Sequence, residues 1–219
     1  MSVGPRKRVA ALISGRGSNM ISLMAAARQP DYPAEIALVL SNKLEAPGLA
    51  TARDAGIATA ALSHKDHASR EDFERAMHAV LEEHAIDLVC LAGFMRLLTP
   101  WFVDKWQGRM LNIHPALLPS FRGLHTHERA LEDGVKIHGA TVHFVVPDMD
   151  AGPIIAQAAV PVVDGDTPAT LAARVLAQEH VIYPLALKLV ASGATRIEGN
   201  RVLTGEQVSD HLLVVPMPA

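Results

Sequence analysis

The sequence predicts an α/β protein built on a mainly parallel sheet, and three observations carry that prediction. Short runs rich in Val, Ile and Leu alternate with longer stretches of helical period, the pattern of βαβ units. A glycine-rich segment, Ser14-Gly15-Arg16-Gly17-Ser18-Asn19, falls between the first such run and the first helix. With 219 residues, 49% of them hydrophobic, the chain can bury a full core as one domain.

The expected strands follow in order. Val9 to Ser14 opens the sheet, then come Ile36 to Leu40, a weaker strand near Ala58 to Leu62, Asp87 to Ala92, and Met110 to Ile113. Each is short, apolar and bounded by polar or turn residues, as buried central strands are. A first helix is expected to begin near Met20. Ser69, with Asp72 three residues on, marks the start of another, and Phe73, Met77, Val80 and Leu81 repeat at helical spacing. Asn112 to His127, holding Pro115, Pro119 and Gly123, is too broken for regular structure and predicts a long ordered loop. Beyond it, Ala140 to Val146 and Ile154 to Val162 read as strands flanking the turn Pro147 to Pro153. Thr167 and Pro168 read as cap and first residue of a long helix. Its core-facing stripe is expected at Leu171, Val175, Ile182, Leu185 and Leu189, with a kink at Tyr183-Pro184. No repeat, low-complexity segment or linker interrupts the chain.

Composition excludes several classes. The 20 Lys and Arg nearly balance the 23 Asp and Glu, so no broad positive field for nucleic acid arises, Arg6, Lys7 and Arg8 being only a short basic start. No apolar run approaches the roughly 20 residues of a membrane helix, and Met1 to Gly4 lead directly into the first strand, so a cytoplasmic protein is expected. The single cysteine, Cys90, lies in an apolar run and reads as core.

Three segments carry chemistry. The loop Ser14 to Asn19 stands where parallel sheets bind ligands, and glycines there let backbone N–H groups close on an anion at a helix N-terminus. Phosphate is the natural guest, a plain glycine turn capping a helix the alternative. It is no Walker loop, Met20 replaces the third glycine of the dinucleotide fingerprint, and Ser41-Asn42 stands where a ribose-binding acid would, so no nicotinamide cofactor is expected. Asn112 and His114 close the fifth expected strand, and period two puts both on one face at its carboxyl edge. A carboxamide and an imidazolium together suit a developing oxyanion, and the imidazole can also move protons. Asp148, Asp150 and Gly152 form a turn that is either a solvated acidic turn or one whose Asp150 approaches His114, favouring and orienting the imidazolium. His64, His67, His125, His127, His138 and His143 raise a metal reading, but no ligand spacing supports it. The serine-hydrolase elbow is absent as well.

Taken together, Ser14 to Asn19, Ala92-Gly93-Phe94-Met95-Arg96, Leu111 to Pro119, Gly123-Leu124-His125-Thr126-His127 and Gln178-Glu179-His180 closely resemble the glycinamide ribonucleotide formyltransferases. Order and spacing agree from about Arg8 to Ile197. The resemblance implies a Rossmann-like formyltransferase fold with a mostly parallel, about seven-stranded sheet flanked by helices. A core over 7–197 would sit in a single domain of 1–219, with 198–219 an unassigned extension. It implies transfer of the formyl group of 10-formyltetrahydrofolate to the amine of 5-phosphoribosylglycinamide, a step of purine synthesis, with small-molecule substrates and neither metal nor redox cofactor. It leaves the oligomeric state open, a homodimer included. By motif, Gly17, Ser18 and Asn19 would hold the acceptor's phosphate and Glu179 its ribose. Arg70, Met95, Arg96, Leu97, Leu98, Asp148 and the catalytic Asn112 and Asp150 would line the folate pocket. Asn112, His114 and Asp150 would be the catalytic three. Arg16 stands where the family leads one to expect Asn, and Phe121-Arg122-Gly123 is shared in form with methionyl-tRNA formyltransferases and formyltetrahydrofolate deformylases. Those relatives carry an additional domain, for which 219 residues are expected to leave no room.

Three other readings stay distinguishable by experiment. A hydrolase would release formate without the acceptor, a His-metal hydrolase would hold metal, and a binding sensor would bind without turnover.

Overall fold

In the computed structural model, which describes residues 5–205, every strand joins one mixed sheet. Met1 to Gly4 and the apolar stretch Leu212 to Val215 lie outside the described residues. The first five strands are β1 (Lys7–Ile13), β2 (Ala34–Ser41), β3 (Ala58–Ala61), β4 (Leu88–Leu91) and β5 (Met110–His114). All pair parallel, in the order β3-β2-β1-β4-β5. Then β6 (Ile137–Phe144) and β7 (Ile154–Pro161) continue antiparallel, and a hairpin of β8 (Arg196–Glu198) and β9 (Arg201–Leu203) closes the far edge. The described sheet therefore has nine strands rather than about seven. The two additional strands are three residues each, too short to show alternation, and they cross the boundary drawn at residue 197.

Period two sorts each central strand onto two cores. Val9, Ala11 and Ile13 of β1 face α1 (Ser18–Ala27) and α6 (Pro168–Ala191), packing with Leu23, Val175 and Tyr183, and α2 (Pro47–Asp54) adds Leu49 and Ala52 to the same core. Ala10 and Leu12 face α3 (Arg70–Glu83) and α4 (Pro100–Lys105), packing with Phe73, Met77 and Phe102. Burying both faces is what gives parallel strands their continuous apolar runs. Cys90 is fully buried in the first of these cores.

The helix starts obey capping chemistry. Ser69 accepts from the Asp72 N–H, and Thr167 forms a reciprocal box with Thr170, each satisfying N–H groups that have no partner within the helix. Pro184 lies inside the continuous helix α6, and the Tyr32 hydroxyl donates to Pro184 O at 2.7 Å. One expectation fails in α6. Leu185 is 47% exposed, because the buried stripe steps from Ile182 to Ala186 and on to Leu189. Asn112 and His114 close β5 as expected, but the loop after them ends sooner than expected, because Thr126 opens the short α5 (Thr126–Glu132). No helix among the described residues is long and apolar enough to cross a membrane.

Candidate active site

The strand order reverses between β1 and β4, which opens a crevice at their carboxyl ends. Ser14, just past β1, ties the crevice together. Its hydroxyl donates to Asn42 Oδ1 at 2.5 Å and accepts from the Met95 N–H at 2.8 Å, while its own N–H donates to Gly93 O at 3.1 Å. The loop beyond it turns into α1 at Gly17, whose φ of +70° only glycine adopts without strain. The first N–H groups of α1 thus point into the crevice without helical partners. Asn19 is buried, and its amide donates to Glu179 Oε2 at 2.6 Å, joining residues from α1 and α6. Burial pushes the Glu179 carboxyl up, and the Asn19 bond and then the nearby His180 and His114 pull it back.

At the end of β5, Asn112 pairs across to His143 of β6, and His114 to Thr141. His114 is buried, with Nε2 2.9 Å from Phe121 O and Nδ1 3.4 Å from Asp150 Oδ2. Both nitrogens face oxygen acceptors, an arrangement satisfied in full only by the doubly protonated ring. Asp150 also accepts from the Gly123 N–H at 2.9 Å, and its other oxygen lies 3.8 Å from His143 Nε2. It reaches this position through a left-handed φ of 51° in the turn after β6. The turn closes on the strand because residue 152 is glycine: a Cβ there would lie 1.8 Å from Phe144 O.

His143 was weighed in the sequence only as a metal ligand, yet it is a neighbour of both Asn112 and Asp150. Its Nδ1–H donates to Phe144 O at 2.9 Å, which leaves the Nε2 lone pair to accept from Asn112 Nδ2 at 3.2 Å. Burial holds this ring below the ordinary histidine range, against the opposing pull of the Phe144 bond and of Asp150, so it stays neutral and an acceptor. One N–H of the Asn112 amide is thereby fixed, and the other remains for a ligand. The loop from Pro115 to Ser120 is ordered by partners that its own sequence does not reveal. Thr141 Oγ1 donates to Ala116 O and accepts from the Leu118 N–H, and the Gln157 amide donates to Leu118 O.

The residues expected around a folate divide. Met95 and Leu97 are 69% and 63% exposed, two large apolar side chains left open after β4. Arg96 lies over the Phe73 ring at 5.1 Å, and Leu98 packs partly into the core. Arg70 and Asp148 are exposed and carry no side-chain hydrogen bond among the described residues. Of the histidines considered for metal, His125 approaches Glu128 at 3.8 Å and His127 meets His138 edge to face at 5.3 Å. Among the described residues no three His, Cys, Asp or Glu side chains group so as to hold a metal ion.

Known proteins resemble this chain over most of its length. The family model described as formyl transferase matches residues 7–187. The chain is 55% identical over 195 residues to the trifunctional purine biosynthetic protein adenosine-3 of Homo sapiens, covering 89% of this chain and 19% of that protein. It thus spans only about a fifth of that relative's length. It is 46% identical over 192 residues to the phosphoribosylglycinamide formyltransferase of Escherichia coli K12, covering 88% of this chain and 91% of that one. The crystal structure of glycinamide ribonucleotide transformylase 1 from Symbiobacterium toebii superposes with a TM-score of 0.89 at 45% identity, over 92% of this chain and 95% of the other.

Proposed function

The chain belongs to the formyl transferase family, and from that premise we propose that it transfers the formyl group of 10-formyltetrahydrofolate to the amine of 5-phosphoribosylglycinamide. The products are formylglycinamide ribonucleotide and tetrahydrofolate, in purine biosynthesis. The observation that carries this reading is the convergence of Asn112, His114 and Asp150 at the end of β5, beside a crevice whose other wall offers unpartnered helix N–H groups.

In this reading Gly17, Ser18 and Asn19 receive the acceptor's phosphate and Glu179 its ribose. Arg70, Met95 to Leu98 and Asp148 border the folate. The neutral amine attacks the formyl carbon, and the carbonyl oxygen becomes an oxyanion. The spare N–H of Asn112 can donate to it without rearrangement, because His143 holds the other. A protonated His114 ring, its Nδ1 held by Asp150, would add positive charge beside that oxygen. It can donate its Nε2 proton only by exchanging the Phe121 carbonyl for a substrate atom, a condition that the sequence alone did not suggest. Collapse of the tetrahedral species breaks the bond to the folate nitrogen, which must gain a proton as it leaves, while the attacking amine loses one. Asp150 keeps the imidazolium oriented throughout. We further propose that this takes place in the cytoplasm, in one formyltransferase domain acting on small molecules.

An acceptor-dependence assay tests the reading. Tetrahydrofolate is expected to appear only when 10-formyltetrahydrofolate and phosphoribosylglycinamide are both present. Formate released without the acceptor would identify a hydrolase instead.

A further inference from the structure

Arg129 lies on α5, away from Asn112, His114 and Asp150 in sequence and without a contact to any of their side chains. Helical side chains lean toward the N-terminus of their helix, and this one covers the segment leading into α5. Its Nη1 donates to Arg122 O at 2.7 Å and to Leu124 O at 3.3 Å. Its guanidinium carbon lies 5.5 Å from the Phe121 ring centroid, over the ring. Three groups of one short loop are thus gathered by a single side chain.

That loop is the least relaxed stretch beside the site. Phe121, Gly123 and His125 have φ of 56°, 83° and 57°, and a bulky residue such as Phe121 holds a left-handed φ only where its surroundings over-determine it. The same loop supplies both backbone groups that fix the His114–Asp150 pair. Phe121 O accepts from His114 Nε2, and the Gly123 N–H donates to Asp150 Oδ2. The contacts of Arg129 alternate with these along the chain: it stacks on the Phe121 ring and binds the carbonyls on either side of Gly123.

We propose that Arg129 is a positioning residue for the proposed formyl transfer, clasping the strained Phe121–His125 loop so that its backbone orients His114 and Asp150. The kinetic consequence rests on that reaction; the structural one does not.

The test combines steady-state kinetics with NMR of the His114 ring N–H, assigned by its loss in His114→Gln. In the wild type the Nε2–H is expected to exchange slowly with water. In Arg129→Ala it should exchange too fast to observe, with kcat lowered about 10- to 100-fold, as small misplacements of reacting groups cost. KM for phosphoribosylglycinamide should hold, since Gly17 to Asn19 sit on another element. Arg129→Lys keeps the charge and stem but lacks the flat face and fork, so it should give a smaller loss of kcat. It decides by the same two readouts if the alanine variant does not fold. A still-protected Nε2–H, an unchanged kcat, or a loss confined to KM in either variant overturns the proposal. If the wild type transfers no formyl group, the proposed reaction fails, and the ring-proton comparison alone decides the role of Arg129.

Discussion

Replacing Gly17 by valine tests the proposed acceptor anchor most directly. An L-residue at φ of +70° costs about 1–2 kcal/mol. A Cβ there would also sit 3.3 Å from both Ile13 Cγ2 and Met20 Cβ, tighter than ordinary packing, before the two γ-methyls of valine are counted. The loop can relieve this only by rotating Gly17 out of the left-handed region, which turns the first N–H groups of α1 away from a bound phosphate. If the strain is relieved in the free enzyme and must be restored on binding, the same 1–2 kcal/mol appears in acceptor affinity, about 5- to 30-fold in KM. If it persists in both states, it appears as a lower Tm with KM unmoved, so both are measured. The expected outcome is a rise in acceptor KM with folate KM unchanged. A dephosphorylated acceptor should lose affinity with the wild type and be nearly indifferent to the substitution. The reasoning is refuted if the folate KM rises instead, or if removing the phosphate costs the wild type nothing.

Three further outcomes are expected. His114→Ala should lower kcat about 10²- to 10⁴-fold with acceptor binding retained, and near-normal turnover would remove His114 from the chemistry. His143→Phe frees the Asn112 amide to rotate, so kcat should fall about tenfold or more with both KM values little changed, as for a partly mispositioned oxyanion donor; equal turnover would show that Asn112 needs no such partner. Asp166 is held below the usual carboxylate range by hydrogen bonds from Arg174 and then from the Val163 N–H. Because its folded value lies below the unfolded value of about 3.9, its contribution is complete above about pH 4 and fades as pH falls further. Asp166→Asn should therefore lower Tm at pH 7 by roughly 2–12 °C, from about 1–3 kcal/mol of charged hydrogen bonding, and the gap to wild type should close on acidification below pH 4. A gap independent of pH would assign the loss to packing.

What was legible in the chain was whatever its local pattern determines. β1, β2 and β4 hold apolar runs at Val9 to Ile13, Ile36 to Leu40 and Leu88 to Leu91 because both their faces are covered, and Ser69 and Thr167 announce helix starts by their own hydroxyls. Asn112 and His114 share a face through strand geometry alone. The partners were less legible because they arise from pairing across the sheet. His143 faces Asn112 through antiparallel register, 31 residues away, and no spacing rule reports that. Thr141 and Gln157 order the Pro115 to Ser120 loop in the same way. Leu185 was misplaced because Leu185 and Ala186 both continue the stripe from Ile182, and hydrophobicity favoured the wrong one.

The hydroxyl of Ser14 bridges the two loops proposed to hold the two substrates. It bonds Asn42 beyond β2 and the Met95 N–H beyond β4, while its own chain runs on into the Gly17 turn. A hydroxyl that donates and accepts at once polarises both bonds, so loosening one weakens the other. The loop expected to carry phosphate and the loop expected to border folate are consequently not independent jaws. A ligand that stills the Met95 segment lowers the entropy still to be lost at the Gly17 turn, and reciprocity requires the same help in the opposite direction. Synergy between the two substrates, whichever binds first, would then be a property of one oxygen atom rather than of any movement of the sheet.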